Sequence, residues 1–87
     1  MNAIRTPHLP THLDAVLTGA EVDVVGVEAD RAEGRRLLAL GFVPGTRVRV
    51  VRSAPLRDPV EYELRGTRVS LRRTEAALVT VATPSFG

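Results

Sequence analysis

Residues 60–71 read Val-Glu-Tyr-Glu-Leu-Arg-Gly-Thr-Arg-Val-Ser-Leu, a pattern that leaves the chain few ways to fold. Apolar residues recur at every second position through Val60, Tyr62 and Leu64, and again at Val69 and Leu71. That period of two places one face of a strand in a core and the other in water. Arg65-Gly66-Thr67 reads as the tight connection of a hairpin. An isolated hairpin is at best marginally stable in water. The rest of the chain must therefore cover its apolar face.

Three further segments share the period. Val22, Val24 and Val27 predict a first strand, with Glu21 and Asp23 on its wet face and Gly26 breaking the alternation as a bulge would. Val48 and Val50 alternate with Arg47 and Arg49, and Val79 and Val81 predict the last strand. Between the first and second strands the period becomes helical: Gly34, Leu37, Leu38 and Gly41 fall at i, i+3, i+4 and i+7. Asp30 and Glu33 have capping-box spacing at the start of that helix, and Gly41 suits a left-handed end. Gly34 gives up about 1 kcal/mol of helix propensity relative to Ala, which implies a packing reason for it.

Pro44-Gly45 then turns the chain into the second strand. Thr11 and Asp14 repeat the capping spacing before a short helical turn ended by Gly19, and residues 72–77 read as another turn. These elements predict a mainly β fold, a small SH3-like five-stranded antiparallel barrel with one short α-helix between strands 1 and 2. Closing the barrel would remove exposed strand edges. The expected domain spans residues 13–82, between a flexible leader (1–12) and a tail (83–87). On the outward faces, Arg47 and Arg49, then Glu61 and Glu63, then Arg68 and Arg72 present plus, minus and plus on successive strands, which fixes register.

Composition narrows the chemistry. The 87 residues include no cysteine, so disulfides and thiolate metal sites are excluded and the fold must rest on packing. The only aromatics are Phe42, Tyr62 and Phe86, too few to line the polyproline groove of a peptide-binding SH3 module. The basic side chains are all arginine, twelve against ten carboxylates. A basic face at Arg47, Arg49, Arg68 and Arg72 would have Glu61 and Glu63 running through it, which argues against nucleic acid. No apolar run approaches the roughly 20 residues of a bilayer span, and residues 1–9 lack the apolar core of a signal peptide. A soluble, cytoplasmic protein without direct membrane insertion is expected.

Catalysis needs a nucleophile or general base with a partner in reach. The histidines, His8 and His12, lie in the leader with Pro10 between them, and Ser53, Ser70 and Ser85 have no evident partner. No enzyme activity is expected, and no cofactor. Scattered carboxylates would allow only weak transition-metal binding.

Over residues 13–81, nearly the whole chain, the sequence resembles the FeoA family of bacterial ferrous-iron transport accessory proteins. The resemblance is carried by Arg-Arg-Leu-Leu running into Leu-Gly-Phe-Val-Pro-Gly-Thr, by Ala-Pro-Leu-Arg-Asp-Pro-Val, and by Gly66 followed by Val69, Leu71, Arg72, Glu75 and Ala76. It implies an SH3-like fold and a non-enzymatic accessory role, binding and regulating or scaffolding the cytoplasmic part of a FeoB-type Fe(II) transporter, which would recruit the protein to the inner face of the membrane. The alternatives are a free-standing SH3-like adaptor of another metal-responsive system and a small basic nucleic-acid-binding barrel. Self-association stays open.

The resemblance brings no list of functional residues. By position, the surface where the helix meets the 54–59 loop is the candidate for protein interaction: Arg35, Arg36, Leu38, Phe42, Leu56, Arg57 and Asp58, apolar groups ringed by arginines. For Leu38, Phe42 and Leu56 the other reading is completion of the core. Arg57 is bulky where the family often has a small residue.

Overall fold

Val22, Val24, Val48, Val50, Val60, Tyr62, Leu64, Leu71, Val79 and Val81 all point into one core, as the alternation requires. The computed structural model describes residues 10–84. In chain order these form β1 (Thr11–His12), a 3₁₀ turn (Leu13–Ala15), β2 (Glu21–Val27), α1 (Ala32–Leu40), β3 (Arg47–Ser53), a turn at Pro55–Arg57, β4 (Val60–Leu64), β5 (Thr67–Leu71), α2 (Arg73–Ala76) and β6 (Val79–Ala82). Residues 1–9 of the expected leader, with His8, and residues 85–87 of the expected tail lie outside the described residues.

The strands make one antiparallel sheet in the order β1-β6-β2-β3-β4-β5. The mainly β character and the helix between the first two long strands are as expected, but the count is six strands rather than five, and the sheet is not closed by hydrogen bonds among the described residues. The extra strand is β1, where Thr11 pairs with Val81 and His12 with Thr80. Two residues show no alternation, so nothing in the sequence marks them. Thr11 is therefore a strand residue and not a helix cap, and it is Leu13, fully buried, that plugs the core behind it. Gly19, at φ 91°, donates its N–H to the Val50 carbonyl at 2.7 Å instead of ending a helix.

The Gly26 irregularity is present, since the β2–β6 register shifts between Val24 and Gly26. A second shift, between Val50 and Arg52, bends the β3–β4 pair. Arg65 (φ 53°) and Gly66 (φ 76°) are both left-handed, the two-residue turn whose twist matches a hairpin.

The outer charges pair as a lattice. Arg49 donates to Glu63 at 2.6 and 3.1 Å, Arg52 to Glu61 at 2.9 Å, and Arg68 reaches Glu61 at 3.5 Å. The bond from Arg49 holds the Glu63 carboxyl below its ordinary range. Arg47 turns the other way, to Asp23 at 2.5 Å and Glu21 at 3.5 Å on β2. Four neighbouring strands thus run minus, plus, minus, plus.

Helix α1 begins at Ala32, with Arg31 at the cap position and no side-chain cap, so the Asp30–Glu33 spacing is not used. Its end is as expected: Gly41 is left-handed at φ 115°. The Gly41 and Phe42 N–H groups donate back to the carbonyls of Leu38 and Leu37 at 3.0 and 3.1 Å. This 6→1 and 5→2 pair is the Schellman arrangement, which folds the residue after the glycine back toward the helix. Phe42 is accordingly fully buried.

Two buried polar groups yield predictions. The Thr46 hydroxyl is buried without a hydrogen-bond partner among the described residues. Thr46→Val keeps the shape and removes the unpaired group, so an increase in stability of about 1 kcal/mol is expected in urea titrations. Tyr62 is 1% exposed, and burial pushes its hydroxyl pKa up to about 12, with Arg73 opposing the rise and Asp14 and Asp58 adding to it. A tyrosine in the unfolded chain titrates near pH 10. The folded state therefore favours the neutral form, and stability is intact below pH 10 and lost as pH rises from 10 to 12. With no lysine or cysteine in the chain, Tyr62→Phe should remove most of this alkaline loss, read from denaturation midpoints across that window.

Candidate docking surface

Alanine 54 and Pro59 close the 54–59 loop, the Ala54 N–H donating to the Pro59 carbonyl at 2.9 Å. Within it Leu56 (φ 69°) and Arg57 (φ 68°) are both left-handed, a conformation uncommon for residues with side chains. The Arg57 N–H donates to the Ala54 carbonyl at 2.7 Å, and the peptide between Asp58 and Pro59 is cis. Leu56 is 96% exposed.

One residue outside the loop holds it in place. Arg73, first in α2, donates its backbone N–H to Asp58 Oδ1 at 3.0 Å, its Nε to the Arg57 carbonyl at 2.6 Å and its Nη1 to the Asp14 carbonyl at 2.6 Å. Asp58 thus caps α2 from a distance, while Glu75 caps it locally by accepting the Arg72 N–H at 2.9 Å. Loop, α2 and the 3₁₀ turn are tied into a single unit. Arg73→Met removes two bonds from a charged donor, and a loss of about 2 kcal/mol is expected in thermal melts. Amide exchange at Arg57 should speed up with it.

A groove of about 380 Å³ opens beside the loop, lined by Asp14, Val16, Leu17, Ser53, Arg57 and Arg73 among others. Leu17 on its rim is 73% exposed. Loop residues Pro55 and Pro59 line a second groove of about 370 Å³ together with Arg52, Glu61 and Ser70. The loop therefore stands as a ridge with a half-buried Ser53 at its foot.

The structure divides the sequence-predicted set. Leu56, Arg57 and Asp58 sit together on the ridge. Arg36 instead pairs with Glu75 of α2, and Arg35 donates to the Ala29 carbonyl at 3.2 Å. Leu38 is half-buried, and Phe42, expected on the surface, belongs to the core because the Schellman turn draws it inward. Helix α1 and the loop each bond to α2, Arg36 reaching Glu75 and the loop reaching Arg73. Sequence reasoning missed Leu17 and Arg73. Leu17 is an isolated leucine ahead of a Thr-Gly turn, and Arg73 looks like its neighbour Arg72, so neither carried a periodic signal.

Among the described residues no three His, Asp or Glu side chains come together as a metal site. His12 is exposed on β1. No helix among the described residues is long and apolar enough to cross a membrane.

Compared with known families, residues 11–83 match the FeoA domain. The chain belongs to the FeoA family. An Fe(2+) transport protein A/Fe(2+) transporter FeoB fusion protein of Porphyromonas gingivalis is 44% identical over 69 residues, covering 79% of this chain. The chain spans only 8% of that relative's length. Among solved structures, the FeoA protein of Chlorobium tepidum is similar with a TM-score of 0.78 and 37% identity, covering 86% of this chain and 71% of that one. The zinc complex of Stenotrophomonas maltophilia FeoA has a TM-score of 0.74 and 35% identity, over 82% of this chain and 88% of that one. That protein is described as a procaryotic SH3-domain protein and a candidate activating factor for ferrous iron transport. The SH3-like character inferred from the alternation thus holds for this FeoA domain, with its open six-stranded sheet.

Proposed function

We propose that this FeoA-family protein is a non-enzymatic, cytoplasmic accessory factor of ferrous iron transport, one that binds the cytoplasmic part of a FeoB-type transporter. The observation that carries this reading is the fusion in Porphyromonas gingivalis, where a related domain and the transporter share one chain. Two functions joined covalently in one organism are held at high effective concentration, an advantage only if the parts work together. The shape of the molecule agrees: its most distinctive exposed feature is a tethered apolar ridge flanked by arginines, which suits a protein contact.

On this reading the docking residues are Leu56, Arg57 and Leu17, with Asp58 and Arg73 holding them in position, while Arg35, Arg36 and Leu38 form a flank on α1. Fe(II) is the transporter's cargo. The experiment is Fe(II) uptake by cells lacking this protein. Uptake should fall, and should be restored by the wild-type chain but not by a Leu56→Asp, Arg57→Glu double variant. Uptake independent of the protein under iron limitation would remove the proposal.

A further inference from the structure

We infer that the Leu56 ridge and the groove beside it receive a carboxylate-bearing apolar segment of the partner protein, with Leu56 and Leu17 as apolar contacts and Arg57 meeting the carboxylate. This rests on the accessory role proposed above and adds the chemistry of what is bound. Two observations favour that partner, one from the backbone and one from the distribution of charge.

The ridge is over-determined. Two consecutive residues with side chains are held left-handed, where glycine or asparagine would be unstrained. Strain of this kind persists only where the surroundings impose it, and here the Ala54–Pro59 and Ala54–Arg57 backbone bonds and two bonds to Arg73 do so. What the imposed conformation achieves is an almost fully exposed Leu56 on a fixed backbone. A contact already rigid loses little conformational freedom on binding.

On the strands every arginine has a carboxylate partner, whereas Arg31, Arg35, Arg57, Arg65, Arg72 and Arg73, off the strands, have no ion pair among the described residues, and of these only Arg57 lies on the ridge. Arg47, Arg49, Arg52 and Arg68 all have carboxylate partners across the strands, and Arg36 has Glu75. Arg57 has no carboxylate partner among the described residues, and the Arg73 guanidinium is directed at two neutral carbonyls. Asp58 accepts the Arg73 N–H and Asp14 lines the groove, so two carboxylates accompany the two guanidiniums here, but neither forms an ion pair with Arg57. The complement of an apolar ridge bearing one exposed, unpaired guanidinium is an apolar segment carrying a carboxylate, and the planar guanidinium of Arg57 suits bidentate contact with it.

The test titrates the intact protein into the cytoplasmic part of the cognate FeoB-type transporter by calorimetry at low and high salt. Leu56→Ala and Arg57→Glu are the test variants. Arg65→Glu, an exposed arginine on the β4–β5 turn with no ion pair among the described residues, controls for net charge. Loss of affinity of about tenfold or more is expected for each test variant, with little change for Arg65→Glu. Affinity should fall with salt, and Arg57→Glu should be partly rescued by reversing the acidic residue that hydrogen exchange finds protected on the transporter. Thermal melts should show all three variants folded, since both test side chains are exposed. Wild-type affinity in both test variants overturns this docking assignment and leaves the accessory role standing. An equal loss in all three, reporting net charge alone, does the same. No binding by the wild-type chain overturns both.

Discussion

Gly34→Ala should lower the unfolding temperature by roughly 15 °C, although alanine is the better helix former by about 1 kcal/mol. A Cβ built at Gly34 would lie 1.7 Å from the Glu28 carbonyl oxygen and 2.7 Å from its carbon, with Ala29 Cα at 3.1 Å. All three are backbone atoms, so no flexible side chain can swing aside. Either α1 must move off the 28–29 connection or that connection must deform. Overpacking typically costs 1–3 kcal/mol and occasionally more, and a clash this close with backbone belongs at the upper end. At about 4–8 °C per kcal/mol for a domain of this size, the helix-propensity gain is overwhelmed. Calorimetric melting of the variant checks this, and a small rise in the midpoint would show that α1 docks elsewhere.

Phe42→Ala comes next in expected effect, with a loss of about 3–5 kcal/mol. Its ring is fully buried and shares the core with Leu37, Leu64 and Tyr62. Against the 5–15 kcal/mol by which typical domains are stable, such a loss leaves the protein marginal. Phe42→Leu, which keeps most of the volume, should cost less than about 1.5 kcal/mol. Urea unfolding of the pair distinguishes the two roles considered for this residue. A core Phe42 destabilises in proportion to the volume removed, whereas a surface docking residue would leave stability unchanged and lose only partner affinity.

The difference between what the residues announced and what they hid has a physical basis. Strands β2 to β6 were legible because each buries one face, and burial imposes the alternation. The same holds for the Arg65-Gly66 hairpin and the Gly41 cap, where backbone geometry selects the residue. Strand β1 was not legible because a two-residue pairing has no period, and its contribution to the core is made by Leu13 just beyond it. Gly34 announced a close approach without saying to what. At the candidate site the sequence placed Leu56, Arg57 and Asp58 together because they are contiguous. It joined them to Arg35, Arg36 and Phe42 only by assumption, since α2 has no pattern that shows it bonding to both loop and helix. Arg73 shows the limit most clearly: its role is defined by the carbonyls it reaches at Asp14 and Arg57, distant in sequence and invisible without the fold.

The proposed role of this FeoA-family protein requires a physical association with a FeoB-type transporter. Sedimentation of the purified protein mixed with the cytoplasmic part of the cognate FeoB-type transporter measures it without recourse to variants. A boundary at the mass of a stoichiometric complex, growing with concentration and receding as salt is raised, is the predicted result. Two boundaries at the masses of the separate proteins, unchanged at every concentration and with or without guanine nucleotide, would contradict it.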